Sequence, residues 1–196
     1  MVLNIKLKGT SAKLAQLQND YIDLMQSCLT GCAYQDFSQD PFSSGDFDLN
    51  RRNHGLDWPS QAQTMIGTKR MVNLRTLVES VIADNIPGDF IETGVWRGGA
   101  CIFMRAILYT YDIPDRRVWV ADSFEGLPSP NGQKYPADID LDFHIYDELK
   151  VGLEQVKDNF RAYGLLDEQV KFLKGWFKDS LPQAPIDQLA LIRLDG

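Results

Sequence analysis

The strongest constraint in this sequence is an alternation that begins near residue 87. Four short apolar runs, Asp89–Thr93, Val118–Ala121, Val170–Leu173 and Leu189–Leu194, are interleaved with two stretches of helical spacing, Gly98–Tyr111 and Asp147–Tyr163. A strand that is followed by a helix and then by another strand returns in parallel. The expected fold class is therefore α/β, an open parallel sheet with helices on both faces. Ligands of such sheets sit at the carboxyl ends of the strands. The residues just after each strand are thus the ones that carry chemical information.

The region ahead of this pattern reads differently. Ser11–Leu29 has Leu14, Leu17, Tyr21, Leu24 and Cys28 at alternating three- and four-residue spacings, which predicts a helix with those residues on its buried or partner-facing side. That stripe serves either the core or a dimer interface. Tyr34–Pro59 is polar and irregular, with isolated aromatics such as Phe42 and Trp58, and long segments of this kind tend to be functional or mobile. A second helix is predicted over Ala62–Ala83, with Met71, Leu74, Val78 and Val81 buried. Another long polar loop spans Phe124–Tyr146. Leu149, Leu153, Val156, Phe160 and Tyr163 share one side of the following helix, and Gly164 stands where a C-cap belongs. Two parts are expected: residues 1–86, a helical extension and loop, and residues 87–196, an α/β domain.

Composition closes off several function classes. The chain has 196 residues and a net charge of −7, so a nucleic-acid partner is not expected. No apolar run is long enough for a membrane span, and Met1–Gly9 lacks the apolar block of a secretory leader, which makes the cytoplasm the default location. Cys28, Cys32 and Cys101 have only two histidines for company, too few ligands for a zinc site, and read as structural.

Four strand ends supply candidate site residues. After the first strand comes Glu92-Thr93-Gly94-Val95-Trp96-Arg97-Gly98-Gly99. The glycines permit close backbone approach to a ligand, but the spacing is not that of a dinucleotide fingerprint. A carboxylate at this turn disfavours a pyrophosphate and suits a cationic ligand such as S-adenosylmethionine; read structurally, Glu92 is a capping or solvated residue. Asp122 ends the second strand, where a carboxylate can accept both hydrogen bonds of a ribose diol, or cap a loop. Trp176 follows the third strand and either edges an adenine or belongs to the core. Asp195 follows the fourth, where a carboxylate can bind a divalent cation, accept a proton from a hydroxyl, or be solvated.

Several segments together resemble the macrocin O-methyltransferase family of class I methyltransferases. They include Gly55-Leu56-Asp57-Trp58-Pro59, Pro87–Ala100, Val118–Pro128, Phe172-Leu173-Lys174-Gly175-Trp176-Phe177 and Leu191–Gly196. The resemblance runs from about Leu17 to Gly196. It implies a Rossmann-like sheet, S-adenosyl-L-methionine and Mg²⁺ as cofactors, and methylation of a hydroxyl on a small-molecule acceptor, a sugar of a natural product or a phenol. By position, it implies that Glu92 and Gly94 hold the methionine end of the cofactor. Asp122 then holds the ribose, Ser123 lies near the adenine beside Trp176, and Thr64 and Met65 approach from the preceding helix. Asp195 corresponds to a metal ligand also proposed as the base, and Ser129–Tyr146 to a mobile lid.

The family pattern continues for roughly 55 to 65 residues beyond the Arg-Leu-Asp-Gly segment, with a further metal-binding Asp-Asp pair and the last strands. The chain is therefore expected to be a fragment, with a natural truncation as the alternative, and Leu189–Leu194 to form an exposed apolar edge. Two other functions compete: a nucleotide-dependent oxidoreductase, which the glycine spacing and Glu92 oppose, and a catalytically inactive cofactor-binding or interaction protein.

Overall fold

Four parallel strands, β1 (Asp89–Thr93), β2 (Val118–Asp122), β3 (Val170–Lys174) and β4 (Leu189–Leu194), form one sheet in the order β3-β2-β1-β4. They come from a computed structural model that describes residues 11–195; Met1–Gly9 and Gly196, both used in the sequence reading, lie outside the described residues. The order reverses direction at β1, so the crevice at the carboxyl ends of β1, β2 and β4 is the place for a ligand. Gly88 makes the β1–β4 approach possible. A Cβ there would stand 2.8 Å from the Ala190 amide nitrogen.

The alternation produces an α/β fold because each strand has apolar faces that a helix must cover. Phe90, Val118, Val120, Val170 and Leu191 face one core. Helix α4 (Gly99–Thr110) lies against it and is buried from Gly99 to Leu108. Helices that are apolar all round belong in an interior. Here α1 (Ser11–Leu29) and α3 (Thr68–Ala83) pack on α4 from outside, and α5 (Leu153–Ala162) adds Val156 and Phe160. Each such aliphatic or aromatic side chain contributes about 1.5–3 kcal/mol when fully buried. The core thus runs continuously from the N-terminal helices into the sheet. The opposite face carries a smaller cluster, Ile91, Trp119 and Ala121 with Phe177 and Ile186, beside the four-residue helix α6 (Phe177–Ser180).

Three expectations need correction. Helix α1 has the predicted bounds, but its buried face is Ile22, Met25 and Leu29. Leu14, Leu17 and Leu24 are exposed. Both stripes share one spacing, and side-chain chemistry selects between them: Gln18 reaches the Thr110 carbonyl at the end of α4, while Asn19 and Asp23 reach Arg75 on α3. The second predicted helix starts six residues late, at Thr68. Residues 62–67 form no helix because the Ala62 carbonyl accepts from Arg97 and the Gln63 carbonyl from the Gly99 amide, and Gly67 takes φ +81°. Finally, the helix predicted from Asp147 is a single 3₁₀ turn, Asp147–Leu149, and α5 begins only after Gly152. Strand β4 is an edge of the described sheet, with Ile192 and Leu194 exposed.

Candidate active site

The carboxyl ends of the strands open into a cavity of about 490 Å³. Its walls include Thr64, Met65, Glu92, Gly94, Asp122, Ser123, Trp176 and Asp195. All the candidate residues read from the sequence therefore meet in one place. A second cavity, of about 530 Å³, adjoins it and shares Trp58, Met65, Ile66, Phe143 and Asp195 as a common wall.

Glu92 is the most unusual group. It is the last residue but one of β1, at 2% exposure, with Oε2 accepting from the Cys101 thiol at 3.0 Å and Oε1 from Arg193. Burial pushes its pKa up to about 7, against the pull of the neighbouring Arg193 charge and the two hydrogen bonds. The Cys101 thiol is itself pushed well up by burial and by Glu92, so it remains a protonated donor. A buried carboxylate at the edge of a largely apolar cavity is a strong attractor for a cation with N–H donors.

The turn after β1 is shaped for close approach. Gly94 has φ +81°, and its amide donates to the Ala121 carbonyl. Trp96 takes a left-handed φ of +49°, a sparsely populated conformation for a bulky residue, and aims its ring into the cavity. Arg97 stacks on that ring at 4.2 Å and donates to the Pro59 and Ala62 carbonyls, tying the turn to the irregular segment that carries Thr64 and Met65. Gly99 allows this contact, because a Cβ there would stand 2.6 Å from the Gln63 carbonyl. Thr64 and Met65 thus reach the cavity from an irregular strap ahead of α3 and not from a helix.

Asp122 joins two turns. Its Oδ2 accepts from the Val95 amide and its Oδ1 from the Phe124 amide, both at 2.8 Å. Ser123 donates to the Gly126 carbonyl and accepts from the Glu125 amide. The capping role weighed for Asp122 is real, and it leaves the carboxylate at the cavity wall. Trp176, 40% exposed, flanks the same space next to Phe177.

Asp195 follows β4, held by its amide bond to the Thr93 carbonyl and by Arg193, whose Nη1 donates to its Oδ2 at 2.8 Å. It lines both cavities. Sequence reading missed Arg193, Trp58, Trp96, Phe143 and Leu149. The signal for Arg193 was its place two residues before Asp195, which puts both on one side of a strand. For Trp58 and Phe143 only an isolated aromatic in a polar loop was visible.

The second cavity is walled by the 35–59 region, with Phe42, Leu56 and Trp58 beside Arg51 and Arg70. The segment 124–150 covers the first through Leu127, Pro128, Phe143 and Leu149. Trp96 Nε1 donates to the Glu148 carbonyl at 2.9 Å, and Tyr146 packs edge-on against Trp58 at 5.3 Å and Phe42 at 6.0 Å.

Comparison with known proteins agrees with this geometry. Residues 33–196 match the family model described as macrocin O-methyltransferase (TylF). Demethyldecarbamoylnovobiocin O-methyltransferase of Streptomyces niveus is 53% identical over 180 residues, 90% of this chain and 69% of the relative. Mycinamicin III 3''-O-methyltransferase of Micromonospora griseorubida is 48% identical over 181 residues, 90% of this chain and 71% of the relative. The solved structure of the O-methyltransferase NovP superposes with a TM-score of 0.85 at 52% identity, covering 91% of this chain and 73% of that one.

Proposed function

The chain belongs to the macrocin O-methyltransferase family, an S-adenosylmethionine-dependent O-methyltransferase by that membership, and from this premise we propose that it methylates a sugar hydroxyl of a natural product. The observation that carries the reading is the meeting of two cavities at Asp195, with a buried carboxylate on the side of the first. The first cavity is the donor site and the second the acceptor site.

On the donor side, Glu92 receives the ammonium of the methionine end, and Gly94 lets the backbone lie close to it. Asp122 keeps lone pairs for the ribose hydroxyls beside its two amide bonds. Ser123 and Trp176 flank the adenine, and Thr64 and Met65 press from the strap. The cavity suits this donor because Glu92 is a buried carboxylate at its wall, and because the remaining wall is mostly apolar and aromatic. S-adenosylmethionine supplies an electrophilic methyl on a sulfonium.

On the acceptor side, Asp195 accepts the proton of the acceptor hydroxyl as its oxygen bonds to the methyl carbon, whose bond to the sulfonium sulfur breaks to release S-adenosylhomocysteine. Trp58, Met65 and Phe143, shared by both cavities, exclude water from the line of attack. Alignment of the two reactants supplies a large part of the rate.

The resemblance also implies Mg²⁺. The described residues do not fit it: no group of three or more His, Cys, Asp or Glu lies together, and the one candidate ligand, Asp195, already accepts from a guanidinium. The exposed leucines of α1 support self-association, which light scattering measures.

The test is transfer of a methyl to demethyldecarbamoylnovobiocin and to mycinamicin III, followed by mass spectrometry. The wild-type chain is expected to add one methyl to a sugar hydroxyl, and Asp195→Asn to be slower by about 10²–10⁴-fold. An unchanged rate in Asp195→Asn removes that residue as the base.

A further inference from the structure

Strands β1 and β4 pair in a register that sets Glu92 opposite Arg193 and Thr93 opposite Leu194. Arg193 and Asp195 are two residues apart, so the pleat puts them on one side of the strand. The three charged side chains consequently share one face at the carboxyl end of the sheet. Nη1 of Arg193 donates both to Glu92 Oε1 and to Asp195 Oδ2, at 2.5 and 2.8 Å. One nitrogen carries two hydrogens, so each carboxylate receives one. The distance between the two carboxylates is thereby fixed by a single planar group.

The three residues also divide the cavities. Glu92 lines the first, Arg193 the second, and Asp195 both. The Arg193 side chain is 15% exposed and the Glu92 side chain 3%, so that half of the link is sheltered from solvent screening, while the Asp195 side chain is 47% exposed. Cys101 holds the other oxygen of Glu92, which leaves the carboxylate no freedom to turn away from the guanidinium.

We propose that Arg193 is a positioning residue that couples the donor and acceptor sites, holding Glu92 and Asp195 as one hydrogen-bonded unit. The inference rests on the donor and acceptor assignments above. What happens at Asp195 then reaches the donor site through Arg193. When the Asp195 carboxylate is lost, the guanidinium is drawn wholly to Glu92 and competes with the ammonium of the donor. When Arg193 is lost, Asp195 has no route to Glu92.

Calorimetry with S-adenosylhomocysteine tests this on four folded chains: wild type, Asp195→Asn, Arg193→Met and the double variant. In the Arg193 background, Asp195→Asn is expected to weaken binding about fivefold; in the Arg193→Met background it changes binding less than twofold. Equal effects in the two backgrounds overturn the coupling. Arg193→Lys serves as a second variant should the methionine chain not fold. Its ammonium is a point charge on a shorter stem, so it also loses most of the coupling while restoring charge beside Glu92. Glu92→Gln in the same series keeps the two ideas apart. If it leaves binding unchanged, the donor assignment fails. If it weakens binding while the two Asp195 effects are equal, only the coupling fails.

Discussion

Two long polar segments frame the site, and they are built on opposite principles. Residues 30–62 are pinned by buried charge. Arg52 is fully buried, its Nε donating to both oxygens of Asp57, Nη1 to the Thr30 carbonyl and Nη2 to the Asp36 carbonyl. Asp36 in turn accepts from the Ser60 hydroxyl and from the amides of Gln61 and Ala62. Residues 124–150 have no ion pair among the described residues, and Ile139, Leu141 and Ile145 stand exposed. Beyond the strand-end turn at Phe124 and Gly126, they are fastened by one indole hydrogen bond and by edge-on aromatic contacts. Polar composition alone therefore says little about mobility. A segment that folds its charges inward becomes a wall, and one that keeps them outside becomes a cover. The wall bounds the second cavity and the cover lies over the first.

The sharpest way to break this contrast is to unpair the wall. Asp57→Ala leaves Arg52 buried without its counter-charge and is expected to cost about 3–5 kcal/mol, read as a lower midpoint in urea unfolding. A change under about 1 kcal/mol makes the wall no more fixed than the cover.

Tyr146→Ala is the matching test of the cover. It removes the aromatic seat between the two loops, so the expected loss of stability is at most about 1 kcal/mol. The same variant speeds proteolytic cleavage within residues 129–146, and S-adenosylhomocysteine no longer slows it. A large fall in stability makes this loop part of the frame.

The smallest effect belongs to the indole. Trp96→Phe keeps the stacking surface for Arg97 and deletes the donor to the Glu148 carbonyl, worth about 0.5–1.5 kcal/mol. Donor affinity is expected to fall severalfold, and the unfolding midpoint to drop by no more than that bond is worth. An unchanged affinity removes this bond from the closed state.

Much of the sheet was legible because strand ends are punctuated. Pro87-Gly88 before β1 and Gly175 after β3 bound runs that the structure keeps to within one residue. What was lost was lost to tertiary choice. In α1 two stripes shared one periodicity, and only the reach of Gln18, Asn19 and Asp23 to their neighbours decided between them. Residues 62–67 look helical in pattern, yet the Ala62 and Gln63 carbonyls that a helix would use go to Arg97 and to the Gly99 amide. At the site, residues that follow a strand could be located, since the sheet itself gathers them. Arg193 and the Arg52–Asp57 pair could not. Their meaning depends on the β1–β4 register and on a loop path, neither of which has a periodicity to read.

Glu92 offers the most direct test of the central claim, that the first cavity holds the donor through a buried carboxylate. Its pKa, raised by burial from 4.5 to about 7, means that the empty folded chain holds this proton more tightly than the unfolded chain does. The contribution of Glu92 to stability is therefore greatest below pH 4.5 and is lost as pH rises to about 7. A bound ammonium needs the ionised form, so donor affinity should fall as pH drops below about 7. The measurement is calorimetric titration of S-adenosylhomocysteine from pH 6 to 8 on the wild type and on Glu92→Gln. The account predicts weaker wild-type binding at pH 6 than at pH 8, and in Glu92→Gln binding that is weaker throughout and flat with pH. Wild-type and variant curves that coincide contradict it.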